Sequence, residues 1–134
     1  MSSLTHLSTP EGLAPGNGYS HVVWGDGRFV AVSGQIALDA EGRVVGAGDP
    51  EAQARQVFAN LARCLEAAGG GFGDVVKLTF FVTDLAVMPA LRRVRDEHLD
   101  TARLPACTAV QVTALMNPEL LMEIEAFAIL PATG

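Results

Sequence analysis

The sequence predicts an α+β fold: a single mixed sheet with two helices packed on one of its faces. Three observations predict it. Two segments, near 50–68 and 89–99, repeat apolar residues at three- and four-residue steps, the mark of an amphipathic helix. Several others are rich in β-branched and aromatic residues and alternate in polarity, the mark of a half-buried strand. The resulting order, β-β-(β)-α-β-α-β-β, lets both helices cover one side of a sheet, as two-layer packing requires.

Each element follows from local chemistry. Residues 1–19 are rich in Ser, Thr, Pro and Gly without periodicity, so they are expected to form a leading arm and loop ending in Pro15-Gly16-Asn17-Gly18-Tyr19. Segments 20–24 and 29–33 are expected to pair as a hairpin around Gly25-Asp26-Gly27. An extended piece at 35–38, a turn at Asp39-Ala40-Glu41-Gly42 and a short strand at 43–45 come next. Asp49 is a good N-cap, Pro50 suits the first helical position, and Gly69-Gly70-Gly71 stops the run. Between them Ala54, Val57, Phe58, Leu61, Leu65 and Ala68 form one apolar stripe, opposite Arg55, Gln56, Arg63 and Glu66.

Residues 74–83 form the next strand, with Val76, Leu78, Phe80 and Val82 on its apolar side. The second helix places Leu91, Val94 and His98 on one stripe. Two last strands, 106–112 and 121–129, are separated by an Asn117-Pro118 turn. In the final strand Met122, Ile124, Ala126 and Ala128 share one face, and Glu123, Glu125 and Phe127 share the other. In the strand before it, Cys107, Ala109 and Gln111 oppose Thr108, Val110 and Val112. With the greasy side against the helices, Cys107, Glu123 and Glu125 are expected together on the other face. That face also carries Phe81, Phe127 and Lys77, too apolar for water and too polar for a dry core. The combination predicts a subunit interface containing a polar cleft.

Composition narrows the classes further. The 134 residues are expected to form a single domain, 1–134, burying roughly two-thirds of the unfolded surface. At 49% hydrophobic the chain is greasy for its length, yet no run approaches the ~20 apolar residues of a membrane helix. The surplus is expected to lie in a subunit interface. The first residues lack a basic segment followed by an apolar core, so they are not read as a secretory signal, and a cytoplasmic location is expected. A net charge of -6, with Lys77 the one lysine, argues against a nucleic-acid partner. Arg92, Arg93 and Arg95 beside Asp96 and Glu97 read as a solvated helix face. Two cysteines make no disulfide framework, and Cys64, between Leu61 and Leu65, reads as a small buried hydrophobe. His6, His21 and His98 show no ligand spacing, so no metal and no cofactor are expected.

Five segments in order carry a resemblance. They are Val32-Ser33-Gly34-Gln35-Ile36; Ala52-Gln53-Ala54-Arg55-Gln56 with Glu66-Ala67-Ala68-Gly69; Asp74-Val75-Val76-Lys77-Leu78-Thr79 with Phe81-Val82-Thr83-Asp84-Leu85; Pro105-Ala106; and Glu123-Ile124-Glu125-Ala126. Over nearly the whole chain the sequence resembles the RidA family, also called YjgF/YER057c/UK114 or L-PSP endoribonuclease. The resemblance implies a chorismate-mutase-like α+β fold and a homotrimer with small-molecule clefts between subunits. It also implies hydrolysis of reactive enamines and imines such as 2-aminoacrylate.

By the same resemblance Glu123 handles water or a proton, Tyr19 closes the cleft and Ser33 lines it. The family's carboxylate-binding arginine, after Pro-Ala, is Cys107 here, and a family asparagine aligns with Arg92. A thiol cannot reproduce a guanidinium fork. One charge-assisted hydrogen bond contributes roughly 1.5–3 kcal/mol, so weak turnover of simple 2-imino acids is expected. An imine or enamine without a free carboxylate is the expected substrate. Cys107 has three readings: a nucleophile, a wall for an uncharged ligand, or a filler of the vacated volume. Arg92 and Arg103 are candidates to restore the missing charge. The alternatives to a deaminase-like hydrolase are a non-catalytic small-molecule-binding trimer and, less favoured, an endoribonuclease.

Overall fold

The computed structural model describes residues 3–132. Its strands are β1 (Thr5–Leu7), β2 (Val22–Trp24), β3 (Arg28–Gln35), β4 (Val75–Val82), β5 (Ala106–Gln111) and β6 (Met122–Leu130). Its helices are α1 (Pro50–Ala67) and α2 (Met88–His98). The main sheet has the order β3-β6-β4-β5, antiparallel except for the parallel β4–β5 pair. Both helices lie on one face, so the expected α+β architecture is the one observed.

Helix α1 forms as its sequence predicts. The Asp49 carboxylate accepts from the Ala52 backbone N–H at 3.1 Å, and Gly69 ends the run at φ +90°. Ala54, Val57, Phe58, Leu61 and Leu65 are fully buried against Leu78, Phe80, Ile124 and Ala128 of the sheet. Gln53 is equally buried, and its side chain satisfies three backbone groups. It donates to the Gly46 and Glu119 carbonyls and accepts from the Leu121 N–H. The amide thereby ties two loops to the helix, a pairing that burial demands.

Four local expectations change. Strands β2 and β3 are not a hairpin: β2 pairs with β1 in a separate two-stranded ribbon, and β3 pairs with β6. The glycines between them serve close approach instead. A Cβ on Gly25 would lie 2.6 Å from Leu4, and one on Gly27 would lie 2.0 Å from the Leu130 carbonyl oxygen. The leading segment accordingly contains a strand, β1, and is not loop throughout. A register shift between Val75 and Lys77 places Val75 rather than Val76 in the core. The strand expected at 43–45 reduces to a single bridge, Leu38 to Val44.

Helix α2 buries Met88, Leu91, Val94 and, unexpectedly, Arg95, which is 3% exposed. The arginine therefore does not belong to a solvated face. His98 is exposed at the helix end, where its ring stacks on Phe58 with centroids 5.4 Å apart. Among the described residues, no helix is long and apolar enough to cross a membrane.

Candidate functional site

Register decides which side chains can meet. In the parallel pair Cys107 lies opposite Leu78 and Ala109 opposite Phe80, and Leu78 and Phe80 point into the helix-covered core. Cys107 therefore points to the helix side. Glu123 and Glu125 lie opposite Phe81 and Thr79, on the uncovered side. The expected common face for Cys107 and the two carboxylates is corrected: alternation fixes which residues share a face within a strand, and pairing fixes which face that is.

Cys107 borders a cavity of about 120 Å³ between α2, β5 and the 17–19 loop. Tyr19, Arg92, Arg95 and Cys107 line it, with Phe80, Met88 and Ala109 as apolar walls. Three of the sequence-predicted site residues, Cys107, Tyr19 and Arg92, thus come together. The loop bearing Tyr19 is pinned on both sides. The Ser20 N–H donates to the Pro105 carbonyl at 3.1 Å, and Arg95 Nη1 donates to the Gly18 carbonyl at 2.7 Å. The Tyr19 ring meets His21 edge-on at 5.2 Å.

Arg95 is the residue that sequence reasoning missed. Its Nη1 lies 3.8 Å from Cys107 Sγ, and its Nε and Nη2 reach Asp96 Oδ1 at 2.9 and 2.8 Å. Spacing carried a signal: residue 95 falls four after Leu91 and seven after Met88, on the buried stripe. Arg103 goes elsewhere, donating to the Leu4 carbonyl at 3.0 Å. Burial pushes the Cys107 thiol above its ordinary range, against the pull of Arg95 and more weakly of Lys77 and Arg92. The sulfur is therefore a protonated thiol at neutral pH, a poor nucleophile.

Glu123 lies apart from that cavity, where β6 pairs with β3. The Glu123 carboxylate lies over the backbone of Gly34, where a Cβ would sit 2.1 Å from Oε2. Glycine at 34 is what admits the carboxylate, and exposed Ser33 precedes it on the edge strand. Neither Glu123 nor Glu125 has a hydrogen bond or ion pair among the described residues; Lys77 donates instead to the Thr108 hydroxyl. A larger open cleft of about 630 Å³ runs past Gly34 along Asp39, Gln56 and Asn60, but these polar groups are already paired. Among the described residues no three His, Cys, Asp or Glu side chains are grouped to hold a metal.

Comparison with known proteins agrees with this architecture. Residues 9–130 match the family model described as Endoribonuclease L-PSP. The chain is 38% identical over 120 residues to the 3-aminoacrylate deaminase RutC of Acinetobacter baylyi, covering 90% of each. It is 36% identical over 132 residues to the 2-iminobutanoate/2-iminopropanoate deaminase of Capra hircus, covering 96% of this chain and 93% of that one. A solved structure of the Rid-family protein YyfB from Yersinia pestis, whose function is unknown, superposes with a TM-score of 0.84 at 36% identity. That match covers 96% of this chain and all of the other.

Proposed function

The chain belongs to the Endoribonuclease L-PSP family, also called the RidA family, and from that membership we propose that it is a deaminase-like hydrolase of a reactive imine or enamine. Water adds to the imine carbon, the carbon–nitrogen bond breaks, and a carbonyl and ammonia remain: C=NH plus H₂O gives C=O plus NH₃. An enamine enters the same path after taking a proton on carbon. Glu123 takes the proton from the attacking water and returns it to the departing nitrogen. Tyr19, Cys107 and Arg92 shape the pocket, and Ser33 lines the side held by Glu123.

One observation supports a shared site most directly. Cys107 and Glu123 occupy opposite faces of one sheet, so within a single chain they cannot flank the same small ligand. A second copy bringing its Ser33–Glu123 edge to the first copy's pocket completes the site. The uncovered sheet face offers the surface for it: Phe29 is 66% exposed and packs on Phe127, with Val110 on the same side. We propose a homotrimer with three such clefts as the working form.

The test supplies 2-iminobutanoate, generated in situ, and an imine without a carboxylate, and follows ammonia. Release faster than in buffer is expected for at least one of them. Thermal stabilisation by these compounds with no ammonia from either would instead make the protein a binding module. Gly34→Ala probes the geometry. The new methyl must displace Glu123, and misplacing a catalytic group by about 1 Å costs on the order of 10²-fold in rate. A comparable loss of turnover is expected, with a melting temperature near that of the wild type because the flexible carboxylate can swing away.

A further inference from the structure

The pocket beside Cys107 has a charge balance that residue 107 alone does not suggest. Arg95 is buried with its guanidinium in the pocket wall, and Arg92, one turn earlier on α2, lines the same cavity. Asp96 is the one carboxylate in ion-pair contact with either, among the described residues. Arg92 has no hydrogen bond or ion pair there at all, and no acidic residue lines the cavity. Within one chain two guanidinium charges thus face one carboxylate. A buried guanidinium cannot relieve the imbalance by losing its proton.

We propose that α2 supplies the charge recognition in this protein: Arg92 receives the anionic end of a small organic anion, and Arg95 acts as a positioning residue. The proposal rests on the reading of this cavity as the substrate pocket and names the class of substrate. Arg95 holds the Gly18 carbonyl, and so the Tyr19 wall, while its contact with Cys107 Sγ fixes the floor. Phe80, Met88 and Ala109 receive a short apolar chain. The anion is therefore gripped from the helix wall rather than from β5, and the substrate class shifts back from the neutral imine expected on sequence grounds to a charged one.

Butanoate and butanamide, alike in shape and inert to hydrolysis, provide the test by titration calorimetry. Butanoate is expected to bind at least tenfold more tightly, and its affinity should fall with ionic strength because Arg92 is exposed. Arg92→Met, which leaves the core untouched, is expected to abolish the preference. Arg95→Lys is expected to retain part of it and Arg95→Gln to lose it, a selectivity readout that a purely structural arginine would not move. Equal affinity for the two compounds, no binding of either, or an unaltered preference in Arg92→Met would overturn the proposal. Butanoate selectivity without ammonia release from any imine would uphold it while removing the hydrolase reading. Turnover without selectivity would do the reverse.

Discussion

Replacing Glu123 with glutamine is expected to cut imine hydrolysis by about 10²–10⁴-fold, the range for a lost general acid–base group. The substitution changes the chemistry at constant shape. Glutamine fills the same volume and can still hydrogen-bond water, but its amide cannot accept the water's proton or deliver one to nitrogen. No structural partner within the chain is lost with the charge, because Glu123 makes no hydrogen bond or ion pair among the described residues. Melting temperature and oligomeric mass should therefore stay at wild-type values while ammonia release falls. Glu125 provides the control. It is two residues along the same face, opposite Thr79 and away from Gly34, so Glu125→Gln is expected to retain turnover within a few-fold. Undiminished turnover in Glu123→Gln would remove the proton-transfer role from this carboxylate.

Local chemistry made α1 and β6 readable, because each carries its own signal. Asp49 with Pro50 starts the helix, Gly69 ends it, and strict alternation from Met122 to Leu130 marks a strand with one buried face. What failed was decided by partners distant in sequence. Gly25-Asp26-Gly27 resembles a hairpin turn, yet its two glycines are required by the approach of Leu4 and of the Leu130 carbonyl. The alternation in β5 was correct, but its phase came from pairing with β4, which sent Cys107 to the helix side. The charge of Arg95 and of its neighbours suggests a solvated face, but its spacing from Met88 and Leu91 turns it inward. Tyr19, Arg92 and Cys107 line one cavity, and Arg95 joins them there because its place on the apolar stripe outweighs its charge.

Cys107→Arg, which places a second guanidinium beside Arg95, is expected to destabilise the protein. Arg95 Nη1 already stands 3.8 Å from Cys107 Sγ, in a site where the thiol is shielded from water. A second guanidinium there meets a buried like charge. At an effective dielectric of about 20, two unit charges about 4 Å apart repel by roughly 4 kcal/mol, and partial escape of the long side chain toward solvent reduces this to about 2–4. In a chain of this length such a loss lowers the melting temperature by roughly 10 °C. Removing the other charge should relieve it: Arg95→Gln combined with Cys107→Arg is expected to be more stable than Cys107→Arg alone. The double-mutant cycle should give a coupling of about 2–3 kcal/mol, well above the few tenths expected of independent sites. A Cys107→Arg protein as stable as the wild type, with no coupling to position 95, would show that the two positions do not share one desolvated pocket. The cycle therefore measures whether an arginine on the strand at 107 and the buried helix arginine are alternative occupants of one charge site, or unrelated residues.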